Sequence, residues 1–309
     1  MSQQDLAIII VSWNVRDLLF DCLTSVFAEI TNNALAAAVW VVDNHSHDDS
    51  ATMVAEKFPQ VNLLASETNL GFAGGNNAAL RAMHFPDKHP DQPQAVLLLN
   101  PDTLVSPNSL NVLITFLKAN EKVGLMGANL FYEDGSFQHS AFHFPVVWQL
   151  AIELFPLPGR LYASSLNGRY PADLYEGQAP FPIEHPLGAA MLVRREAIHQ
   201  VGIMDETYHM YVEEVDWSWR IKAAGWQAYC HPMAHITHLE GQSTSQIKTQ
   251  SMINLWHSRY QFYKKYYKGL KFWLAQTLVI KGMQRKIHQT PEYKDTYVQI
   301  QAIWRGQTR

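Results

Sequence analysis

Short apolar runs alternate with helical patterns through the first 130 residues, and this alternation limits the fold more than any other feature of the sequence. The runs Leu6–Val11, Val39–Val42 and Ala95–Leu99 are continuously apolar, as in strands that are buried on both faces. Val61–Leu64 is a third short run in chain order, interrupted by Asn62. Between the first two runs, apolar residues recur three and four positions apart from Leu18 to Val26, as on one face of a helix. This order predicts an α/β fold with a mostly parallel central sheet flanked by helices.

Polar side chains follow three of these runs, at the ends of the strands where open parallel sheets bind ligands. The residues concerned are Ser12, Trp13, Asn14, Asp43, Asn100 and Asp102. Asp and Asn also serve turns and helix caps, so each position alone leaves a purely structural role open. Together they predict one polar crevice, in which Asp102 could bind a divalent cation along with nucleotide phosphates.

A glycine-rich stretch, Asn69–Asn77, follows the third run and opens a predicted helix. Its spacing is not that of the dinucleotide-binding fingerprint. Glycine allows a backbone to approach a ligand closely, and a helix N-terminus favours phosphate. Contact with phosphate or sugar and plain loop geometry are both consistent with this stretch.

Five acidic residues fall within twelve positions between Asp205 and Asp216. Glu213 and Glu214 occupy the first turn of a predicted helix, where the helix dipole alone favours an acid. The functional interpretation is a general base that faces the strand ends, with a neighbouring acid that orients it. Asp216 and Arg220, four residues apart, are predicted to form an ion pair on the helix surface.

Seven segments, in order, resemble the rhamnosyltransferase-like branch of glycosyltransferase family 2. They are IIIVSWN (8–14), VVDNHSHDDS (41–50), NLGFAGGNN (69–77), LLLNPDT (97–103), PLGAAMLVRR (186–195), GIMDETYHMYVEEVDWSWR (202–220) and HITHLEGQS (235–243). The resemblance implies a GT-A fold with a Rossmann-like nucleotide-binding half. It also implies an inverting glycosyltransferase that moves a sugar from a nucleoside-diphosphate sugar, dTDP-rhamnose or a UDP-sugar, to a hydroxyl of a saccharide or lipid-linked saccharide in cell-surface polysaccharide synthesis.

The resemblance further implies roles for single residues. Glu214, with Glu213 beside it, would deprotonate the acceptor; the family has aspartate at position 214, so the choice between the two glutamates stays open. Asp102 and His238 would hold Mg²⁺ or Mn²⁺. The residues expected to bind the nucleotide sugar are Ser12, Trp13, Asn14, Asp43, Gly71, Asn76, Asn100 and Asp102.

Two other classes of function use similar residues. A sugar nucleotidyltransferase could share the acidic strand ends and the glycine-rich loop, and it would release pyrophosphate instead of a nucleoside diphosphate. A non-catalytic scaffold that binds nucleotide sugars is the other alternative, although it would need neither Asp102 nor the paired glutamates.

The alternation stops between about residues 142 and 186, where seven of the chain's fifteen prolines fall. A long irregular segment inside a globular protein is usually functional. We therefore predict a catalytic domain over residues 1–243 that carries an acceptor-side loop or lid at 142–186.

The net charge of −4 conceals an uneven distribution of charge. Residues 1–240 carry 26 acids and 12 bases, whereas residues 241–291 carry nine bases, eight aromatics from Trp256 to Trp273, and no acid. We predict a basic, aromatic and helical C-terminal extension over 244–309. Its longest uncharged apolar run, Phe272–Ile280, is too short to cross a bilayer.

Basic helices with aromatic residues are expected to lie on an anionic membrane surface, here through residues 244–289. The alternative is packing against the acidic body or another subunit, which leaves a homo-oligomer open. No nucleic-acid motif accompanies the extension, so no nucleic-acid partner is expected.

Two cysteines, Cys22 and Cys230, are too few for a disulfide framework, and the N-terminal sequence has no basic, cleavable leader. We therefore predict a cytoplasmic protein that attaches peripherally to the inner face of the cytoplasmic membrane.

Overall fold

The computed structural model describes residues 4–156, 158–161, 164–208, 210–239 and 248–307. Twelve strands lie within these ranges: β1 (Leu6–Ser12), β2 (Ala37–Asp43), β3 (Asn62–Ala65), β4 (Ala95–Leu99), β5 (Thr103–Val105), β6 (Val123–Phe131), β7 (Phe137–Gln138), β8 (Ala141–Phe142), β9 (Phe181–Pro182), β10 (His185–Pro186), β11 (Ala190–Arg194) and β12 (Gln227–His238).

Eleven α-helices lie within the same described ranges. They are α1 (Arg16–Asn32), α2 (Ser50–Lys57), α3 (Gly71–Ala82), α4 (Ser109–Ala119), α5 (Val147–Leu154), α6 (Asp173–Glu176), α7 (Arg195–Val201), α8 (Glu213–Ala223), α9 (Lys248–Tyr266), α10 (Gly269–Gln289) and α11 (Lys294–Trp304).

The central sheet has the strand order β3-β2-β1-β4-β11-β6-β12-β5, with β7 and β9 paired at its side. The four strands predicted from the apolar runs are parallel to one another, whereas β11 runs antiparallel to both β4 and β6. Helices cover the sheet on both faces, and a separate buried apolar cluster fills the space on each side. The predicted α/β architecture is confirmed, and the carboxyl ends of β1, β2 and β4 meet at one edge.

The segment from 142 to 186 is not irregular throughout. It contains α5, α6 and two short strands. Leu150 and Leu154 of α5 are buried in a third apolar cluster, which also contains residues of α8 to α11. Because α5 packs into this cluster, part of the predicted loop is a fixed element of the protein core.

The C-terminal extension is helical, as predicted, and consists of α9, α10 and α11. The predicted boundary between residues 243 and 244 lies outside the described residues. Trp256 and Tyr263 are buried, and Trp304 on α11 donates its indole N–H to the backbone oxygen of Trp256 at 3.0 Å. Most of the aromatic surface predicted for a membrane therefore packs inside the protein. In the described part of the chain, every helix is too short or too polar to span a bilayer.

Candidate active site

A cleft of about 360 Å³ lies where β1 and β4 end, with the first turn of α8 on its opposite wall. The loop 187–189, just before β11, forms another part of its lining. Eight of the residues predicted from the sequence line this cleft: Ser12, Trp13, Gly71, Asn100, Asp102, Glu213, Glu214 and His238. Residues that are up to 226 positions apart in the chain thus share one cavity.

Asp43 and Asn14 lie beside the cleft and not in its lining. Asp43 is paired in register with Ser12, is buried, and accepts a hydrogen bond from the backbone N–H of Ser46 through Oδ2 at 3.0 Å. Within the described structure, Asp43 Oδ1 and Ser12 Oγ are buried without a hydrogen-bond partner. The Asn14 side chain accepts a bond from the backbone N–H of His47 and so fixes the neighbouring loop.

The glycine-rich stretch serves the cleft at one position and packing at another. Gly71 lines the cleft with a left-handed backbone, at φ of 71°. A Cβ on Gly75 would lie 2.7 Å from Val11 Cγ1, so glycine there allows α3 to lie against β1. Asn76 does not line the cleft, because its side-chain amide donates to the backbone oxygen of Phe72 within α3.

Asn44 belongs to the site and was missed from the sequence. Its amide donates to the backbone oxygen of Gly71 at 3.0 Å and accepts from the N–H of Leu70 at 3.2 Å, so it fastens the glycine-rich loop to the end of β2. It also lines the cleft. Its position directly after Asp43, in a resembling segment, was the available signal.

Asp102 and His238 form a pair at the strand-end wall of the cleft. His238, the last residue of β12, pairs in register with Thr103, which places its ring beside Asp102. Gln138 Oε1 lies 3.1 Å from His238 Nδ1, and if this nitrogen carries the proton, Nε2 presents a lone pair. That Nε2 atom lies 3.5 Å from Asp102 Oδ1 and 3.3 Å from the Asn100 amide nitrogen.

This donor set fits a divalent cation. A carboxylate oxygen and an imidazole lone pair repel each other at 3.5 Å, and a cation between them would turn that repulsion into attraction. The bond to Gln138 is the kind of outer contact that orients a metal-binding histidine. In the described residues no group of three or more His, Cys, Asp or Glu side chains is placed to hold a metal. Asp102 and His238 would supply two ligands.

Glu213 and Glu214 begin α8 after a strained turn. Tyr211 and Val212 both have left-handed backbones, with φ of 69° and 71°, and this conformation is unusual for a β-branched residue. Glu213 is buried, and among the described residues its Oε2 has no hydrogen-bond partner. Glu214 is half-buried, and a Cβ on Gly188 would approach its Cγ to 3.4 Å, so glycine at 188 leaves room for this side chain.

Burial raises the pKa of both glutamates above the ordinary value of 4.5. For Glu213 the pKa is raised first by desolvation and then by the charge of Glu214. For Glu214, desolvation raises the pKa to about 7. Two neighbouring acids in one buried turn therefore resist simultaneous ionisation.

The family model described as glycosyl transferase family 2 matches residues 7–202, which is more than half of the chain. The chain belongs to glycosyltransferase family 2. N-acetylglucosaminyl-diphospho-decaprenol L-rhamnosyltransferase of Mycobacterium tuberculosis is 30% identical over 218 residues, which cover 67% of this chain and 68% of the relative. The low-salt glycan biosynthesis hexosyltransferase Agl10 of Haloferax volcanii is 23% identical over 219 residues, or 71% of this chain and 62% of that protein.

Solved structures support the GT-A fold of this family 2 enzyme. The mannosyltransferase PcManGT from Pyrobaculum calidifontis, solved with GDP-Man and Mn²⁺, matches with a TM-score of 0.58 at 14% identity and covers 99% of this chain and 88% of that one. GalNAc-T7, solved with UDP, GalNAc and Mn²⁺, matches with a TM-score of 0.56 at 14% identity; the match covers 76% of this chain but only 43% of GalNAc-T7. The predicted family and fold are confirmed.

The α8 helix of this glycosyltransferase is tied to the C-terminal extension through Asp216. The predicted bond from Arg220 Nε is present at 2.9 Å, but Asp216 is fully buried and does not lie on the surface. Asp216 also accepts bonds from Lys265 Nζ at 2.7 Å and from Tyr266 Oη at 2.8 Å, both on α9. Because these partners lie about 50 positions away, nothing in the local sequence pattern indicated them.

Proposed function

We propose that this glycosyltransferase transfers a sugar from a nucleoside-diphosphate sugar to a hydroxyl of a lipid-linked saccharide, with inversion at the anomeric carbon. One observation carries the proposal: the Asp102–His238 pair and the Glu213–Glu214 pair line the same cleft, one at the strand ends and the other at the start of α8. A transfer reaction needs both a site for the leaving diphosphate and a base for the acceptor, and the two walls can supply one each.

At the strand-end wall, Asp102 Oδ1 and His238 Nε2 would hold Mn²⁺ or Mg²⁺. When bound, the cation neutralises charge on the leaving diphosphate. The Asn100 amide lies beside His238 and can donate to an oxygen of the donor. Two structures of similar fold were solved with Mn²⁺, which supports a divalent cation as the cofactor.

The unpaired atoms beneath this wall suit a nucleobase. Asp43 Oδ1 can accept a hydrogen bond and Ser12 Oγ can donate or accept one, and both are buried without a partner in the described structure. A buried polar atom without a partner costs free energy, which a bound base would recover. Trp13, which lines the cleft next to them, offers an aromatic surface for the base.

At the helix wall, Glu214 is the better candidate for the base. It is partly exposed to the cleft, whereas Glu213 is buried, and its pKa of about 7 suits proton transfer at neutral pH. Glu213, whose pKa is raised further by the neighbouring charge, stays protonated and leaves the negative charge on Glu214.

The reaction then proceeds in one displacement. The Glu214 carboxylate takes the proton of the acceptor hydroxyl, and the acceptor oxygen forms a bond to the anomeric carbon. The bond from that carbon to the diphosphate oxygen breaks, and the nucleoside diphosphate leaves with the bonding electrons. Attack from the side opposite the leaving group inverts the anomeric centre.

The rhamnosyltransferase named above supports rhamnose as the transferred sugar. We propose dTDP-rhamnose as the donor, with UDP-sugars as the next candidates. Its name also supports a polyprenyl-diphosphate-linked saccharide as the acceptor. Such an acceptor would place the enzyme at the inner face of the cytoplasmic membrane, in a pathway that builds cell-surface polysaccharide.

A screen of the purified protein against dTDP-, UDP- and GDP-sugars tests the proposal. We expect one nucleotide sugar to raise the melting temperature, and to do so more strongly with Mn²⁺ than with a chelator. Incubation of this donor with saccharide-diphosphate lipids should then release a nucleoside diphosphate, and NMR of the product should show the inverted anomer.

Three outcomes would contradict the proposal. Release of pyrophosphate would indicate nucleotidyl transfer, and a retained anomer would exclude single displacement. Donor binding without turnover on every acceptor would indicate a scaffold.

A further inference from the structure

The N-terminal half of α10 exposes a compact apolar surface on an otherwise well-packed extension. Leu270 is 69% exposed, Trp273 58% and Leu274 40%. Spacings of three and four residues place these side chains on one face of the helix. The opposite face, with Ala275 and Val279, is buried in the third apolar cluster. The exposed residues are therefore not part of the core that holds the extension together.

Lysines surround this surface. Lys264, Lys268 and Lys271 are exposed next to it in sequence, and Lys281 follows on the same helix face seven residues after Leu274. Within the described residues, none of the four forms an ion pair, whereas Lys265 and Arg259 are both paired with carboxylates. Four of the extension's bases that form no ion pair in the described structure thus lie around its exposed apolar residues.

A second exposed tryptophan lies on the helix next to this surface. Trp148, near the start of α5, is 57% exposed. The hydroxyl of Tyr267 donates to the backbone oxygen of Pro145, and that of Tyr263 donates to Val146, so the start of α5 is held beside the turn from α9 to α10. The two helices begin together, and each carries an exposed tryptophan.

We propose that the start of α10, with Leu270, Trp273 and Leu274, docks on an anionic lipid bilayer. Tryptophan and leucine would enter the boundary between headgroups and acyl chains, and the unpaired lysines would meet the headgroup phosphates. Charge complementarity favours this occupant, because four unpaired lysines around an apolar surface oppose a second copy of the same surface and suit a negative one. The docking surface depends on the proposed function in one respect: a lipid-linked acceptor gives the enzyme a reason to work at a bilayer.

The surface is joined to the active site through α9. Ser258 donates to the backbone oxygen of Met210, which lines the cleft, and Lys265 and Tyr266 bind Asp216 on the helix that carries the glutamates. The turn that holds the exposed leucine and tryptophan follows directly after these residues. Docking would therefore hold the cleft wall that receives the acceptor close to the bilayer.

Flotation of the full-length protein with vesicles of phosphatidylcholine, with and without phosphatidylglycerol, tests the docking surface. We expect binding to the anionic vesicles at low salt, and at least about a tenfold weaker binding for the double variant Leu270→Glu/Trp273→Glu. The control is Val298→Glu, which puts one of the two added charges on a 47% exposed apolar residue of α11 and should float like the unmodified protein.

A second pair of variants tests whether vesicle binding depends on the lysines at the docking surface or only on the net charge of the protein. Lys268→Glu/Lys271→Glu should weaken binding about tenfold or more, and Lys57→Glu/Lys88→Glu, with the same change in net charge at exposed sites on the catalytic body, should have a much smaller effect. Because all the altered side chains are exposed, melting temperatures should stay close to that of the unmodified protein, and this is measured in parallel.

Three results would contradict the proposal that this surface docks on a bilayer. The unmodified protein could fail to float with anionic vesicles at low salt, or the α10 variants could float as well as the controls. Analytical ultracentrifugation could also show a dimer that Leu270→Glu/Trp273→Glu converts to monomer, which would assign the surface to a second copy. Flotation needs neither donor nor acceptor, so failure of the proposed reaction leaves this test intact. In turn, transfer to a water-soluble acceptor should be equal in the α10 variants and the unmodified protein even if flotation fails.

Discussion

The two walls of the cleft are built in different ways. The strand-end wall consists of residues at or just after the ends of β1, β2, β4 and β12, so each side chain is positioned by a strand. The helix wall is the first turn of α8, entered through two left-handed residues, Tyr211 and Val212. This wall is supported by α9, whose Ser258 and Lys265 contact the loop before α8 and the helix itself.

The difference shows where precision in this site comes from. A parallel sheet places ligand-binding residues at one edge with no further support, and the same arrangement serves many chemistries. A base must be held within a fraction of an ångström of its target, which a strained turn alone does not ensure. Contacts from α9 would supply that support to the base proposed on α8, so their removal should act on catalysis and not on donor binding.

The largest effect should come from the strand-end wall. Asp102→Ala removes the carboxylate proposed to hold the cation, and we expect transfer to fall about 10³-fold because the charge on the leaving diphosphate is no longer offset. Initial rates at saturating donor and increasing Mn²⁺ measure this. Asp134→Ala, on an exposed turn, is the control and should be unaffected. Full activity of Asp102→Ala would exclude this residue from the site.

The helix wall should respond next. Glu214→Gln keeps the shape of the side chain but cannot accept a proton, so we expect kcat to fall about 10²- to 10³-fold while the donor still binds. Isothermal titration with the donor and steady-state rates separate the two effects. Glu213→Gln is the matched control and should retain most of the activity. A larger loss of kcat in Glu213→Gln than in Glu214→Gln would assign the base to Glu213.

The dependence of kcat on pH should show the ionisation of Glu214. Its raised pKa means that Glu214 is protonated and inactive below about pH 7 and ionised above it. We therefore expect kcat to fall about tenfold for each unit of pH below 7 and to level off above 7. Steady-state rates in buffers of constant ionic strength, at saturating donor, measure this fall in kcat. A fall with an apparent pKa near 4.5 would mean that the base has the ordinary pKa of a glutamate.

Contacts behind the helix wall should have a smaller effect. Lys265→Met removes one of the bonds to buried Asp216, so we expect kcat to fall about tenfold with the KM for the donor nearly unchanged. The free energy of unfolding should fall by about 1 to 3 kcal/mol. Lys265→Arg should restore kcat, and Lys264→Met, which affects no ion pair among the described residues, is the control. An equal change in kcat and KM, or no rescue by arginine, would argue against positioning.

The smallest effect should come from packing far from the cleft. A Cβ on Gly282 of α10 would lie 2.7 Å from Leu154 Cβ on α5, so Gly282→Ala should lower the free energy of unfolding by about 1 kcal/mol despite its better helix propensity. Chemical denaturation measures this. In combination with Leu154→Ala the two changes should be less than additive. Gln284→Ala, exposed on the same helix, should be nearly neutral.

The contrast between the walls also explains how much could be predicted from the sequence. Strand-end residues such as Asp102 were identified because buried strands leave a strong local pattern and their ends converge by the rules of parallel sheets. The start of α8 at Glu213 was likewise predicted, since an acidic first turn followed by apolar residues is a local signal.

Contacts between distant residues could not be predicted in this way. Asp216 looked like a surface residue because its local partner is Arg220, and its burial depends on α9. Gly75 lies in the stretch for which ligand contact and plain loop geometry were both open, and its requirement is the close approach of α3 to Val11. The aromatics of the extension suggested a membrane surface, whereas Trp256 and Tyr263 are core residues. A single sequence shows which residues are apolar, but not which of them are buried by contacts with distant parts of the chain.

The hydrogen bond from Trp304 to the backbone of Trp256 has a practical consequence for anyone who prepares this enzyme. The family match ends at residue 202, which invites a shortened version that keeps only the matched part. Such a version would lack α8, β12 and the three C-terminal helices, and it would expose the apolar side chains of Leu150 and Leu154. We expect it to precipitate during purification. A C-terminal purification tag is best attached after residue 307, so that it does not disturb the packing of α11 against α9.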